Sequence, residues 1–141
     1  MQIRQNRVDK VFFTRKSPPE KADRVATKTS AGSIAEDRAE TFLRQQGLVI
    51  LAKNYRCKLG EIDLIMQHAE TLVFIEVRLR THQAFANAAE SVTIRKQQKI
   101  IKTAQYYLQQ HQLTDKAHCR FDVVAFSDHG NPEWIKDAFS A

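Results

Sequence analysis

The residues best able to do chemistry lie on two short alternating runs. Glu61 and Asp63 are interleaved with Ile62 and Leu64, and Glu76 and Arg78 with Ile75 and Val77. Strict polar–apolar alternation is the pattern of half-buried strands. The gap from Gln67 to Thr71 suits a tight hairpin. A turn centred between Ala69 and Glu70 sets Asp63 opposite Glu76 on one face, and Glu61 opposite Arg78. Opposed residues stand about 5 Å apart at Cβ. Two full negative charges at that separation cost about 3 kcal/mol at an effective dielectric near 20. Three arrangements relieve the repulsion: one carboxyl holds a proton, both point into water, or a cation sits between them. The second describes a plain edge hairpin with a wet, charged face. The third, with oxygen ligands alone, points to Mg²⁺ or Mn²⁺.

Further candidates flank this pair. Gly32-Ser33 reads as the start of a helix, with Ser33 as N-cap and Glu36 as the acid of a capping box. Ala35, Ala39, Phe42 and Leu43 follow at helical spacing up to Gly47. On such a helix Glu36 either serves the cap or completes a carboxylate cluster with the hairpin acids. Leu48–Leu51 reads as the first strand, and Asn54, Arg56 and Lys58 give the approach to Gly60 a basic edge. After Arg80, residues 81–90 read as an exposed loop, and Ser91 as the cap of a second helix. Ile94, Ile101, Ala104 and Leu108 form its apolar stripe. Arg95, Lys99 and Lys102 lie on the opposite side, with Lys96 close by. That basic face is either solvated or a phosphate-contacting surface continuous with Arg78 and Arg80. Arg120–Phe126 reads as a buried strand, and Glu133–Lys136 as a short last strand at an edge. The order helix, three strands, helix, two strands predicts an α/β fold, a mixed central sheet flanked by helices.

A chain of 141 residues with 43% hydrophobic content can bury one core. Eight of the 22 basic residues but only three of the 16 acidic ones fall in residues 1–30, so the net charge of +6 is mostly that of the N-terminus. Residues 1–31 read as a basic, disordered arm around a small apolar island, Val11-Phe12-Phe13, and residues 32–141 as the folded domain. The sequence has no apolar run long enough for a membrane span and no apolar core of a secretory signal. Cys57 and Cys119 form no paired motif and read as reduced thiols of a cytoplasmic protein. His118 beside Cys119 lacks the four converging ligands a zinc site needs.

Taken together, Gly60-Glu61-Ile62-Asp63-Leu64-Ile65, Phe74-Ile75-Glu76-Val77-Arg78, Ser91 with Lys96, and Arg120-Phe121-Asp122-Val123-Val124 resemble the YraN family of bacterial proteins. That group is similar to restriction-endonuclease-like folds and archaeal Holliday-junction resolvases of the PD-(D/E)xK nuclease superfamily. The resemblance spans about residues 32–139. It implies a metal-dependent nuclease acting on DNA, with branched or recombination-related DNA among its substrates, or an accessory nucleic-acid-binding protein on the same fold. It implies Asp63, Glu76 and the Ile75 carbonyl as ligands of Mg²⁺ or Mn²⁺, and Glu36 as the helix acid that completes the cluster. Arg78 falls at the motif's lysine, and Ser91 and Lys96 at phosphate contacts. Arginine stays protonated, so Arg78 can orient and neutralise but cannot act as a base. Resolvases of that kind cut two strands as dimers, which leaves a homodimer open for this chain.

Overall fold

The computed structural model describes residues 30–79, 92–127 and 130–141. The N-terminal arm up to residue 29 with its Val11–Phe13 island, Arg80, residues 81–90 and Ser91 lie outside the described residues. Helix α1 spans Ser30–Gln45. It starts before Ser33, so Glu36 falls in the second turn and a capping box does not explain it. Ala35, Glu36, Ala39 and Leu43 make its buried side. Gly47, at φ +99, ends it: Gly47 N–H donates to the Arg44 carbonyl at 3.0 Å and Leu48 N–H to the Leu43 carbonyl at 3.1 Å. This is the paired hydrogen-bond pattern that a left-handed glycine permits after a last helical turn.

Five strands follow in the sheet order in which the chain makes them: β1 (Val49–Cys57), β2 (Gly60–His68), β3 (Thr71–Leu79), β4 (His118–Phe126) and β5 (Glu133–Phe139). β1 continues through the segment expected to be a separate approach. A bulge between Ile50 and Ala52 and a left-handed Asn54, at φ 54, break the alternation that would have marked it as one strand. β5 extends past Lys136 to Phe139 and lies at an edge, as expected. The hairpin register is the anticipated one, with Ile65 opposite Phe74 and His68 opposite Thr71. The hairpin is not at an edge, however. β1 flanks it beside β2 and β4 beside β3, and with a helix packed on each sheet face residues 62–67 and 72–76 are buried.

Only β3 and β4 run parallel. A parallel neighbour requires a crossover, and helix α2 (Ile94–Gln110) supplies it. Its N-cap is Thr93 rather than Ser91, with Thr93 Oγ1 accepting the Lys96 N–H at 3.2 Å. The helix packs on the sheet through Ile100, Ala104 and Tyr107 together with Ile62, Ile65, Phe74 and Phe121. Ile94, expected in that stripe, is instead 65% exposed, and the packed row begins at Ile100. The other sheet face carries Leu64, Met66, Val73, Ile75 and Phe126 against Ala35, Ala39 and Leu43 of α1. One helix therefore closes each face of a mixed sheet, the α/β restriction-endonuclease-like arrangement.

Two further features fix this frame. Gly60, at φ +152, leaves no room for a side chain, since a Cβ there would come within 2.8 Å of Thr103 Oγ1. The turn between β1 and β2 is thereby seated directly on α2. At the far side of the sheet Asp122 is fully buried. Its two oxygens accept from Arg120 Nε and Nη2, Trp134 Nε1 and the Asp137 N–H, each at 2.9 Å. Every acceptor site of that carboxylate is thus used to hold β5 against β4, and the Arg120-Phe121-Asp122 motif has a structural purpose. Among the described residues no helix is long and apolar enough to cross a membrane.

Candidate active site

Asp63 and Glu76 lie on the central strands where the β2–β3 ladder ends. The last backbone pair is Leu64 with Ile75, and the same register continued by one step sets Asp63 against Glu76. Beyond it the strands diverge, and Asp63 Oδ2 accepts the Val77 N–H at 2.8 Å. A side chain thus takes a strand donor that the ladder no longer satisfies, which fixes the carboxylate on β3 next to Glu76. The two acids are 7% and 5% exposed, which rules out the wet-edge arrangement.

Burial first, and then the charge of Asp63, push the Glu76 carboxyl up to about 7. Lys96 and Arg78 pull the other way without cancelling the rise. Their positions are specific. Lys96 Nζ, from the first turn of α2, lies 3.4 Å from Glu76 Oε2, and Arg78 Nη1 lies 3.6 Å from the same oxygen. Arg78 Nε is buried without a hydrogen-bond partner among the described residues. Arg78 does not pair with Glu61 across the hairpin. Glu61 stands opposite Arg56 of β1, with Arg56 Nε 3.2 Å from its Oε1, because β1 rather than β3 is the neighbour of β2 at that level.

Of the other candidates, Glu36 is buried on α1. Among the described residues no three His, Cys, Asp or Glu side chains converge on a metal position, so Glu36 is not gathered with the two strand acids. Ile75 is buried in mid-strand, paired with Leu64 on one side and Asp122 on the other. Arg95 and Lys99 are exposed on α2, as is Lys102. Arg80 and Ser91 fall outside the described residues. The donor chemistry fits a hard divalent cation. Two buried carboxylates repel each other, one of them is driven toward protonation, and Mg²⁺ completes its shell with water rather than with a full protein cage.

One part of the site had no clear signal in the sequence. A cleft of about 340 Å³ lies beside the acids, lined by Arg56 and Gly60 from the β1–β2 turn and by Lys96, Lys99 and Ile100 from α2. The basic edge at Arg56 was visible. Its meeting with α2 depends on Gly60 and Thr103 touching, a contact between elements that no local pattern encodes.

Comparison with known proteins identifies the family. The profile of "Uncharacterised protein family UPF0102" matches residues 35–126. A UPF0102 protein of Methylobacillus flagellatus is 51% identical over 112 residues, covering 78% of this chain and 96% of its own. One of Hahella chejuensis is 53% identical over 111 residues, covering 77% and 89%. One of Saccharophagus degradans is 51% identical over 116 residues, covering 82% and 98%. With its motifs, its restriction-endonuclease-like fold and these relatives in agreement, the chain belongs to the uncharacterised protein family UPF0102, the YraN family.

Proposed function

We propose that the protein is a metal-dependent nuclease that hydrolyses phosphodiester bonds in DNA, with branched or recombination-related DNA as its substrate class. The observation that carries this reading is the buried Asp63–Glu76 pair, with Glu76 pushed up to about 7 while two cationic side chains already lean on it. Maintaining such repulsion in a core is costly, and cation binding is the use that turns the cost to account. Asp63 and Glu76 would hold Mg²⁺ or Mn²⁺, with the Ile75 carbonyl beside them. A divalent cation there supplies positive charge against the charge that develops on a phosphate under attack, and makes water easier to deprotonate.

The chain's own residues do the rest. The Val77 N–H fixes Asp63 in place. Arg78 stays protonated and offers a bidentate clamp to a phosphate, and its buried Nε, without a partner among the described residues, is a donor in reserve. Lys96 adds a second cation on the same side, with Lys99 and Arg95 further along α2. Glu36 would act from α1, and Arg80 and Ser91 at the phosphate. Two copies of the chain would provide the two sites that a two-strand cut needs. The thiols of Cys57 and Cys119 are free, which accords with the reducing cytoplasm.

One observation favours a second reading, a non-catalytic nucleic-acid-binding protein on this fold. Lys96 and Arg78 both lean on Glu76 Oε2 and can act as built-in counterions with no metal bound. Cleavage of labelled linear, flapped and four-way-junction DNA in Mg²⁺ and in Mn²⁺, beside a Glu76→Ala control, separates the two. Cutting by the parent and none by the control is the expected result. DNA binding with no cutting under any condition would transfer the assignment to the second reading.

A further inference from the structure

The cleft beside the acids has a composition of its own. One wall is the β1–β2 connection with Arg56 and Gly60, and the other is α2 with Lys96, Lys99 and Ile100. The walls cannot drift apart freely, because Gly60 rests against Thr103 with no space for even a methyl group. Lys96 belongs to the cleft and to the acid site at once, with its Nζ 3.4 Å from Glu76 Oε2. Three cations face one acid, Glu61, and that acid is held by Arg56. Among the described residues no aromatic ring and no Asn or Gln side chain lines the cleft. It therefore offers charge, without the rings that stack on bases or the amides that read base edges.

We infer that this cleft seats the sugar–phosphate backbone of one nucleic-acid strand, without regard to its sequence, and leads that strand to Asp63 and Glu76. The inference rests on the nucleic-acid reading proposed above. It gives Arg56 a substrate-binding role beyond its pairing with Glu61, and makes the glycine at position 60 a condition of the cleft's shape. Lys96 becomes the side chain that joins the strand's path to the acid pair.

The test is fluorescence anisotropy of labelled single-stranded oligonucleotides with the full-length protein in EDTA, so that neither metal nor turnover enters. The parent is compared with Arg56→Gln/Lys99→Gln and with a control of equal charge change, Lys116→Gln/Lys136→Gln. The cleft variant should bind about tenfold more weakly at low salt, and its salt slope should fall by about 1.4, the value for two lost single-strand phosphate contacts. Oligonucleotides of different base composition should bind alike, and the control should stay close to the parent. Should the paired variant melt early, Lys99→Gln alone, at an exposed helix position, carries the same test with half the slope change. A parent that binds while the cleft variant binds equally well, or while the control loses as much, overturns the cleft and leaves the nucleic-acid reading standing. A parent that binds neither DNA nor RNA overturns both.

Discussion

Lys96 and Glu76 meet end to end, Nζ to Oε2 at 3.4 Å, one from the first turn of the crossover helix and the other from the middle strand of the sheet. An ammonium at that range ordinarily keeps a carboxylate ionised. Here it does not suffice, and even with Arg78 added the Glu76 carboxyl stays raised, at about 7. The site is short of positive charge in its resting form, and several measurements follow from that shortage.

The first concerns pH. The ordinary value for the Glu76 carboxyl is 4.5, and in the folded protein burial and then Asp63 raise it to about 7. The folded state thus holds this proton more tightly than the unfolded chain does. The stability that this confers is fully present below about pH 4.5 and is lost as pH rises through about 7. In EDTA the melting temperature of the parent should fall across that window, by an amount worth about 3 kcal/mol at most. Glu76→Gln cannot ionise and should show a flatter profile. An undiminished fall in the variant would place the titration on another group.

The second concerns the cation. Calorimetric titration with Mn²⁺ should give a binding signal for the parent at pH 8 that Asp63→Asn lacks. Binding should weaken at pH 5, where Glu76 carries its proton and a cation must displace it. The melting temperature should rise with Mn²⁺ in the parent only. Equal heats from parent and Asp63→Asn would remove Asp63 from the metal set.

A third separates structure from chemistry at Asp122. Asp122→Ala removes the acceptor of Arg120 Nε and of the Trp134 N–H and leaves Arg120 Nη2 with His68 Nδ1 alone, in a partly buried place. The expected cost is about 3–5 kcal/mol in urea unfolding. Asp122→Asn retains acceptor capacity and should cost less. DNA binding per folded molecule should be unchanged in both, and a binding defect in fully folded Asp122→Asn would contradict the structural assignment.

A fourth examines the seat of the β1–β2 turn. Gly60→Ala adds a Cβ at φ +152 within 2.8 Å of Thr103 Oγ1, with an expected loss of about 1–3 kcal/mol. Introduced into Thr103→Ala, which lacks that oxygen, the same change should cost measurably less, because contacting sites are not additive. Strict additivity of the two substitutions would mean that backbone strain alone, and not the contact, makes glycine necessary.

What the sequence disclosed, and what it withheld, follows the range of the interactions. The β2–β3 register was legible because alternation and turn length are local, and they placed Asp63 against Glu76. β1 was read as two pieces because its bulge and the left-handed Asn54 remove the alternation on which such a reading depends. Ser91 is the cap the sequence suggests for α2, and the helix uses Thr93 instead. Burial of the hairpin on both faces could not be read from the hairpin itself, since it depends on α1 and α2 covering the two faces of the sheet. The approach of Lys96 to Glu76 and the docking of Gly60 on Thr103 depend on where a crossover helix comes down. The spacing from Ser33 leaves Glu36 either a cap acid or a member of the carboxylate cluster, and the earlier helix start removes the first.

The single parallel pairing has one more consequence. Asp63, Glu76 and the Val77 N–H that anchors Asp63 all belong to a meander of adjacent strands joined by short turns. Lys96 rides on a helix that lies outside the meander and packs back on β2 from later in the chain. Contacts close in sequence form early in folding and distant ones late. A refolding chain therefore brings its two carboxylates together before their ammonium partner has arrived. At neutral pH this acts as an electrostatic brake on the meander, and mild acid or a divalent cation releases it. Refolding should then be faster at pH 5 than at pH 8, and Mn²⁺ should close the gap. The demand for a cation arises first as a problem in assembling the molecule.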